Sequence, residues 1–149
     1  MLRIALAAIH LIALGLGLGA VIARGTALRE GSSALRRAFR ADTTWGIAAA
    51  LWLSTGLWRL FAETEKTITY YMGNSFFMAK MGLFLLILLL ELWPMITFIR
   101  WRRALRRRSA ESVVDQGAAR RIALISHLQA LLIVLMVFVA TAMARGLGQ

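Results

Sequence analysis

Four side chains able to do acid–base or ligand chemistry sit inside long apolar runs: His10, Lys80, Glu91 and His127. An ionisable group in hydrocarbon costs about 3 kcal/mol on insertion scales, so such residues serve ion or proton paths, bind ligands or pair helices. A neutral imidazole can also ligate haem iron. Lys80 and Glu91 are eleven residues apart, close to three helical turns, and therefore point to one side with about 16 Å between them along the axis. They cannot pair with each other. Each needs a partner from another helix or another depth.

Counting turns from the ends of the apolar runs places His10 and Lys80 in one half of the layer, and Glu91 and His127 in the other. The two histidines therefore do not face one another across a single site. That disfavours one bis-histidine haem and leaves open two sites, or one histidine with another ligand. Plainer roles compete with each reading. A membrane histidine can bond across a helix interface, Lys80 can snorkel along its stem, and Glu91 is either protonated or paired. His10 and Gly17 share a helical face, and the glycine leaves room for a flat ligand or for a neighbouring helix. Gly15 and Gly19 have the GxxxG spacing that permits close helix approach.

These residues must be positioned by four apolar stretches, 4–23, 43–62, 75–99 and 122–144, in a chain of 149 residues that is 60% hydrophobic. Soluble domains are nearer half apolar. Each stretch can cross a hydrocarbon layer of about 30 Å. Little lies outside them, so the chain reads as one transmembrane domain over 1–149, an all-α integral membrane four-helix bundle with up-down-up-down topology. Thirteen of the 18 basic residues fall in the gaps 24–42 and 100–121. The positive-inside rule makes both gaps cytoplasmic loops and leaves the 63–74 loop and both termini outside, an N-out/C-out, multi-pass membrane protein. Cleavage of residues 1–23 as a signal peptide would put the arginines of 24–40 outside, so the segment is read as the first helix. The loops then hold orientation and touch anionic lipid. Most of the charge of +11 is concentrated in them, and nucleic acid is not an expected partner.

Local signals refine this. Leu28, Leu35 and Phe39 alternate with arginines, as in a segment lying at the membrane interface. Arg24 closes the first stretch. Asp42 precedes the second as an N-cap. Arg59 is four residues before Glu63 and can pair with it. Asn74 or Ser75 can cap the third helix, Pro94 kinks it, and residues 100–121 can form a surface helix. There is no cysteine, which excludes disulfide, thiolate and cysteine–metal chemistry. The methionines are scattered, without a repeated metal-binding motif. No hydrolytic triad, phosphate loop or HExxH motif is present.

The run from Asp42 to Arg102 carries a longer motif series. It reads D-x-x-W-G (Asp42, Trp45, Gly46), then W-x-x-T-G-x-x-R (Trp52, Thr55, Gly56, Arg59). Glu65, Lys66, Tyr70 and Tyr71 follow, then N-x-x-F-x-x-K-M from Asn74 to Met81. It closes with E-x-x-P-M-x-T-x-x-R-W-R from Glu91 to Arg102. This series resembles the DUF2214 family of predicted bacterial membrane proteins, which implies a four-helix membrane protein without an assigned activity. His10 followed by Arg24, and Ala79-Lys80 opening a long apolar helix, are also similar to HemJ-type protoporphyrinogen oxidases and CopD-like four-helix proteins. That likeness implies haem b, with His10 as iron ligand and a cofactor role for Lys80. Two places differ from it: Glu91 stands where a histidine is expected, and the N-E-x-P pattern is replaced by Ser126-His127-Leu128-Gln129.

Three functions are consistent with these residues. The first is a haem-binding redox protein using His10. The second is a small transport or proton-handling protein in which His10, Lys80, Glu91 and His127 form a polar path through a homo-oligomer. The third is a structural or accessory subunit whose polar residues specify packing.

Overall fold

The computed structural model describes residues 1–62, 73–107 and 114–146. They form four long helices: α1 (Leu2–Glu30), α2 (Leu35–Phe61), α3 (Ser75–Arg106) and α4 (Gln116–Ala144). At 29 residues, α1 is roughly 43 Å long at ~1.5 Å per residue. α1, α3 and α4 are long and apolar enough to cross a membrane. α2 is not among them: its first turns carry Arg36, Arg37, Arg40 and Asp42, and the stretch after them is diluted by Thr43, Thr44, Trp45, Trp52, Ser54, Thr55, Trp58 and Arg59; three of the four helices meet that test of length and composition. Outward positions are as apolar as inward ones (Ile12, Leu16, Leu85, Leu89, Leu124, Leu131 and Phe138 are all exposed), the pattern of helices surrounded by lipid. The fold is an all-α membrane bundle.

The gap 24–42 is not a loop. α1 continues to Glu30, and α2 begins at Leu35 after a short 3-10 turn, Ser32–Ala34. Gly31 makes the reversal possible with φ of +92°, a region that side chains with a Cβ rarely enter. Leu28 is buried, and Arg37 pairs with Glu30 across the turn. The 100–121 gap is also shorter than expected. α3 runs through the buried Pro94 to Arg106. α4 starts at Gln116, where Asp115 accepts hydrogen bonds from the backbone N–H groups of Gly117 and Ala118 at 3.0 Å each. At the start of α3, Asn74 accepts from the Phe77 N–H, the capping expected there.

Contacts fix the directions. His10 early in α1 meets Thr55 late in α2, while Arg24 late in α1 meets Asp42 early in α2. Neighbouring helices therefore run antiparallel. Around the bundle the order is α2, α1, α4, α3, and α3 closes on α2 through large side chains. Trp52 meets Phe84 edge-on at 5.6 Å, and Phe39 meets Phe98 at 5.5 Å. The core forms two apolar clusters. One contains Ala13, Ala20, Val21, Trp45, Trp52, Ile87, Ala130 and Ile133. The other, at the arginine-rich end, contains Ala27, Leu28, Ala38, Phe98, Trp101, Ile122 and Ala123. Every helix passes through both clusters, and between them each contributes a polar side chain.

Candidate functional site

That intervening polar layer is built around Arg24, whose side chain is 0% exposed. Its Nε donates to Ser126 Oγ at 3.0 Å. Nη1 donates to Asp42 Oδ1 at 3.1 Å and to Glu91 Oε1 at 2.8 Å. Nη2 donates to Glu91 Oε2 and to Gln129 Oε1, both at 2.8 Å. A guanidinium has five N–H donors in a fixed fork. All five are used here, two of them in the bidentate arrangement that carboxylates favour. The carboxylates are held in turn. Gln129 Nε2 donates to Glu91 Oε2 at 2.9 Å and to the Ile87 carbonyl at 3.3 Å. Arg102 Nη2 donates to Asp42 Oδ2 at 2.8 Å, with further bonds to the Phe39 carbonyl and the Thr43 hydroxyl. Arg24 also lies 5.9 Å from the Phe98 ring centroid, and Arg102 lies 5.3 Å from that of Phe39. Two guanidiniums and two carboxylates make the layer formally neutral.

Helical spacing puts these groups inward. Along α1 the buried positions Ala13, Gly17, Ala20, Val21, Arg24, Ala27 and Leu28 recur at three and four residues, so Arg24 extends the core stripe and does not begin a loop. On α2, Ala38, Ala41, Trp45, Ala48, Trp52 and Thr55 do the same, and Asp42 lies beside that stripe. Asp42 is therefore not an N-cap; it is a helix-interior residue shared by Arg24 and Arg102. On α4, Ser126 and Gln129 fall on the stripe Ile122, Ser126, Gln129, Ile133, Met136. Glu91 is paired, as one expectation for it had it, but with Arg24 and Gln129. Sequence reasoning missed Ser126, Gln129, Arg102 and Thr55. Their signal was this same periodicity, read through the polar residues and not halted at them.

A second polar group lies near the other end. His10 Nδ1 is 2.9 Å from Thr55 Oγ1. The Thr55 hydroxyl hydrogen is engaged by the Leu51 carbonyl at 2.7 Å, with the Trp52 carbonyl at 3.1 Å. A hydroxyl has one hydrogen to give, so Thr55 accepts and His10 Nδ1 donates, which leaves Nε2 directed elsewhere. The ring lies 5.8 Å from that of Trp52 and rests on Gly56, where a Cβ would come within 3.1 Å of His10 Cε1. Of the two uses expected for Gly17, the structure shows room for a neighbouring helix: it packs against Trp45 and Ala48 of α2. Lys80 and Arg59 are both within Coulombic range of His10. The expected Arg59–Glu63 pair lies outside the described residues.

His127 belongs to neither group. Its Nδ1 donates to the Ala123 carbonyl at 2.6 Å, and its ring packs against Gly25. His10 and His127 thus sit near opposite ends of α1. Among the described residues, no cluster of three or more histidine, cysteine or acidic residues could hold a metal ion. The donor chemistry of His10 suits haem iron, but the space does not suit a porphyrin. Trp52, Thr55 and Gly56 fill the bundle beside the ring. The adjoining apolar slot, lined by Ala13, Leu14, Gly17, Trp45, Ala48, Trp52 and Ile133, does not admit a water-sized sphere.

Compared with known proteins, residues 2–148 match the family model described as "Predicted membrane protein (DUF2214)". No curated protein and no solved structure matches the chain.

Proposed function

Because the chain belongs to the DUF2214 family of predicted membrane proteins, we propose that it is a non-catalytic structural or accessory subunit of the bacterial inner membrane. In this reading the arginine-rich end faces the cytoplasm and touches anionic lipid, and the outer apolar faces meet lipid and further copies of the chain. The observation that supports it is the complete use of Arg24's five donors by side chains of α2, α3 and α4. A guanidinium kept for substrate has donors to spare; this one has none, and it ties all four helices in one register. Buried polar residues are best attested in such a specifying role.

The dry layer between the polar groups weighs against passage of protons or solutes through one chain. Val21, Trp45, Trp52, Ile87 and Ile133 are packed there beside a slot too small for water. Membranes containing a tagged chain, solubilised mildly and run under native conditions, are expected to show an assembly heavier than one chain. Glu91→Ala should disperse it and Lys80→Ala should leave it intact. Migration as a single chain in both wild type and variants would overturn the proposal.

The same packing makes a spectroscopic prediction about haem b. Protein purified in detergent from haem-replete cells is expected to show no Soret band that depends on His10. A Soret band lost in His10→Ala would mean that the helices part around the imidazole and that the redox reading is correct.

A further inference from the structure

We propose that the arginine-rich end of α3 is a latched hinge. The arm of residues 95–106 pivots at Pro94, Arg102 latches it to α2, and its release uncovers Asp42 and the Arg24 layer. This device is independent of the subunit role above.

The pivot is local. Proline has no N–H, so at Pro94, buried inside α3, the Leu90 carbonyl loses the bond that a helix residue there would give it. On the next turn, Thr97 Oγ1 donates to the Trp93 carbonyl at 2.9 Å, a back-bond of the kind that bends helices. Two helix-bending features thus fall together. The stretch before them is fixed, because Glu91 is held by Arg24 and Gln129.

The arm beyond is held differently. Among the described residues, every hydrogen bond between it and α2 comes from one atom, Arg102 Nη2, to Asp42 Oδ2, Thr43 Oγ1 and the Phe39 carbonyl. The Phe39 ring adds its contacts with Arg102 and Phe98.

That latch is incomplete. Arg24 uses all five donors and is fully buried. Arg102 keeps 39% side-chain exposure, and its Nε is buried with no hydrogen-bond partner among the described residues. A buried donor left unpaired is unfavourable, and a partly exposed ion pair adds little to hold the arm closed. Opening returns that Nε to water. It strands no carboxylate either, since Asp42 keeps its bond to Arg24 through the other oxygen.

The chain has no cysteine, so paired spin labels can report the motion in the full chain in detergent. One pair, Thr44→Cys with Arg103→Cys, spans α2 and the arm. A control pair, Ser54→Cys with Leu85→Cys, spans the same helices on the other side of Pro94. All four positions are exposed. Arg102→Gln is expected to lengthen the first distance by roughly 5 Å, the displacement of Arg103 for a bend of about 20° at Pro94, and to leave the second unchanged. Adding Pro94→Ala restores the missing helix bond and should remove more than half of that lengthening. The proposal is overturned if the arm distance does not change in Arg102→Gln, if the control distance lengthens equally, or if Pro94→Ala leaves the lengthening whole. Should Arg102→Gln fold poorly, raising salt from about 0.05 to 1 M screens the partly exposed latch and not Arg24. The same lengthening confined to the arm then supports the hinge, and an arm distance unmoved by salt overturns it.

Discussion

Arg24→Met should destabilise the bundle by about 3 kcal/mol, the lower part of the range for removing one partner of a buried ion pair. The lower part applies because Asp42 and Glu91 keep 15% and 17% side-chain exposure. Methionine fills much of the same volume, so the loss reports charge and hydrogen bonds more than a cavity. It leaves Glu91 with only Gln129, and Ser126 Oγ and Gln129 Oε1 without the donor they now have. Arg24→Lys restores the charge but not the five-donor fork, and should recover less than half of the loss. The sharper expectation concerns a double variant. Removing Glu91 as well, as Arg24→Met/Glu91→Met, eliminates the stranded carboxylate, while Asp42 keeps Arg102 at 2.8 Å. The double variant should therefore be more stable than Arg24→Met alone, since a buried pair replaced whole by apolar groups is often near neutral. Unfolding in detergent, followed by loss of the monodisperse peak or by helical signal, measures all three. Losses that add across the two sites would show that Arg24 and Glu91 do not act as a unit.

The membrane class and the inward face shared by Lys80 and Glu91 were legible in the sequence, because both follow from composition and from a fixed rotation per residue. The layer that joins the helices was not. Counting arginines by gap assigned Arg24 to a loop together with Arg29 and Arg36, since a hydropathy profile ends a span at the first strong charge. Yet Arg24 stands four residues after Ala20 and three before Ala27, both buried, so the core stripe runs straight through it. The same halt turned Asp42 into a cap. Depth counting grouped His10 with Lys80, and Arg59 joins them in Coulombic range. It also grouped Glu91 with His127, whereas Glu91 meets Gln129, two residues further along α4. A shift of two residues on a helix turns a side chain by about 200°, and depth alone carries no information about rotation. Register between helices, which decides that Glu91 meets Gln129, is fixed by side-chain fit and not by any local signal.

Glycine placement yields the second large effect. Gly25→Ala should cost about 2 kcal/mol, the overpacking penalty for a methyl forced into a filled site. A Cβ at Gly25 would lie 2.7 Å from His127 Cε1, 2.8 Å from Nδ1 and 3.2 Å from the Ala123 carbonyl oxygen. The imidazole cannot simply swing aside, because its Nδ1 is tethered to that same carbonyl at 2.6 Å. Gly15→Ala and Gly19→Ala meet nothing within 4 Å and should be neutral or stabilising by up to about 1 kcal/mol, the helix-propensity gain of alanine over glycine. The GxxxG pair therefore points away from the bundle, and the close approach between helices is made by glycines outside that motif. Combining Gly25→Ala with His127→Ala removes two of the three close contacts and the tether, and should recover most of the loss; the carbonyl, which is backbone, retains the remainder. If Gly25→Ala proved as stable as Gly15→Ala in the same detergent, His127 would not be seated between α1 and α4. The α1–α4 register that brings Ser126 and Gln129 to Arg24 would then have to be redrawn.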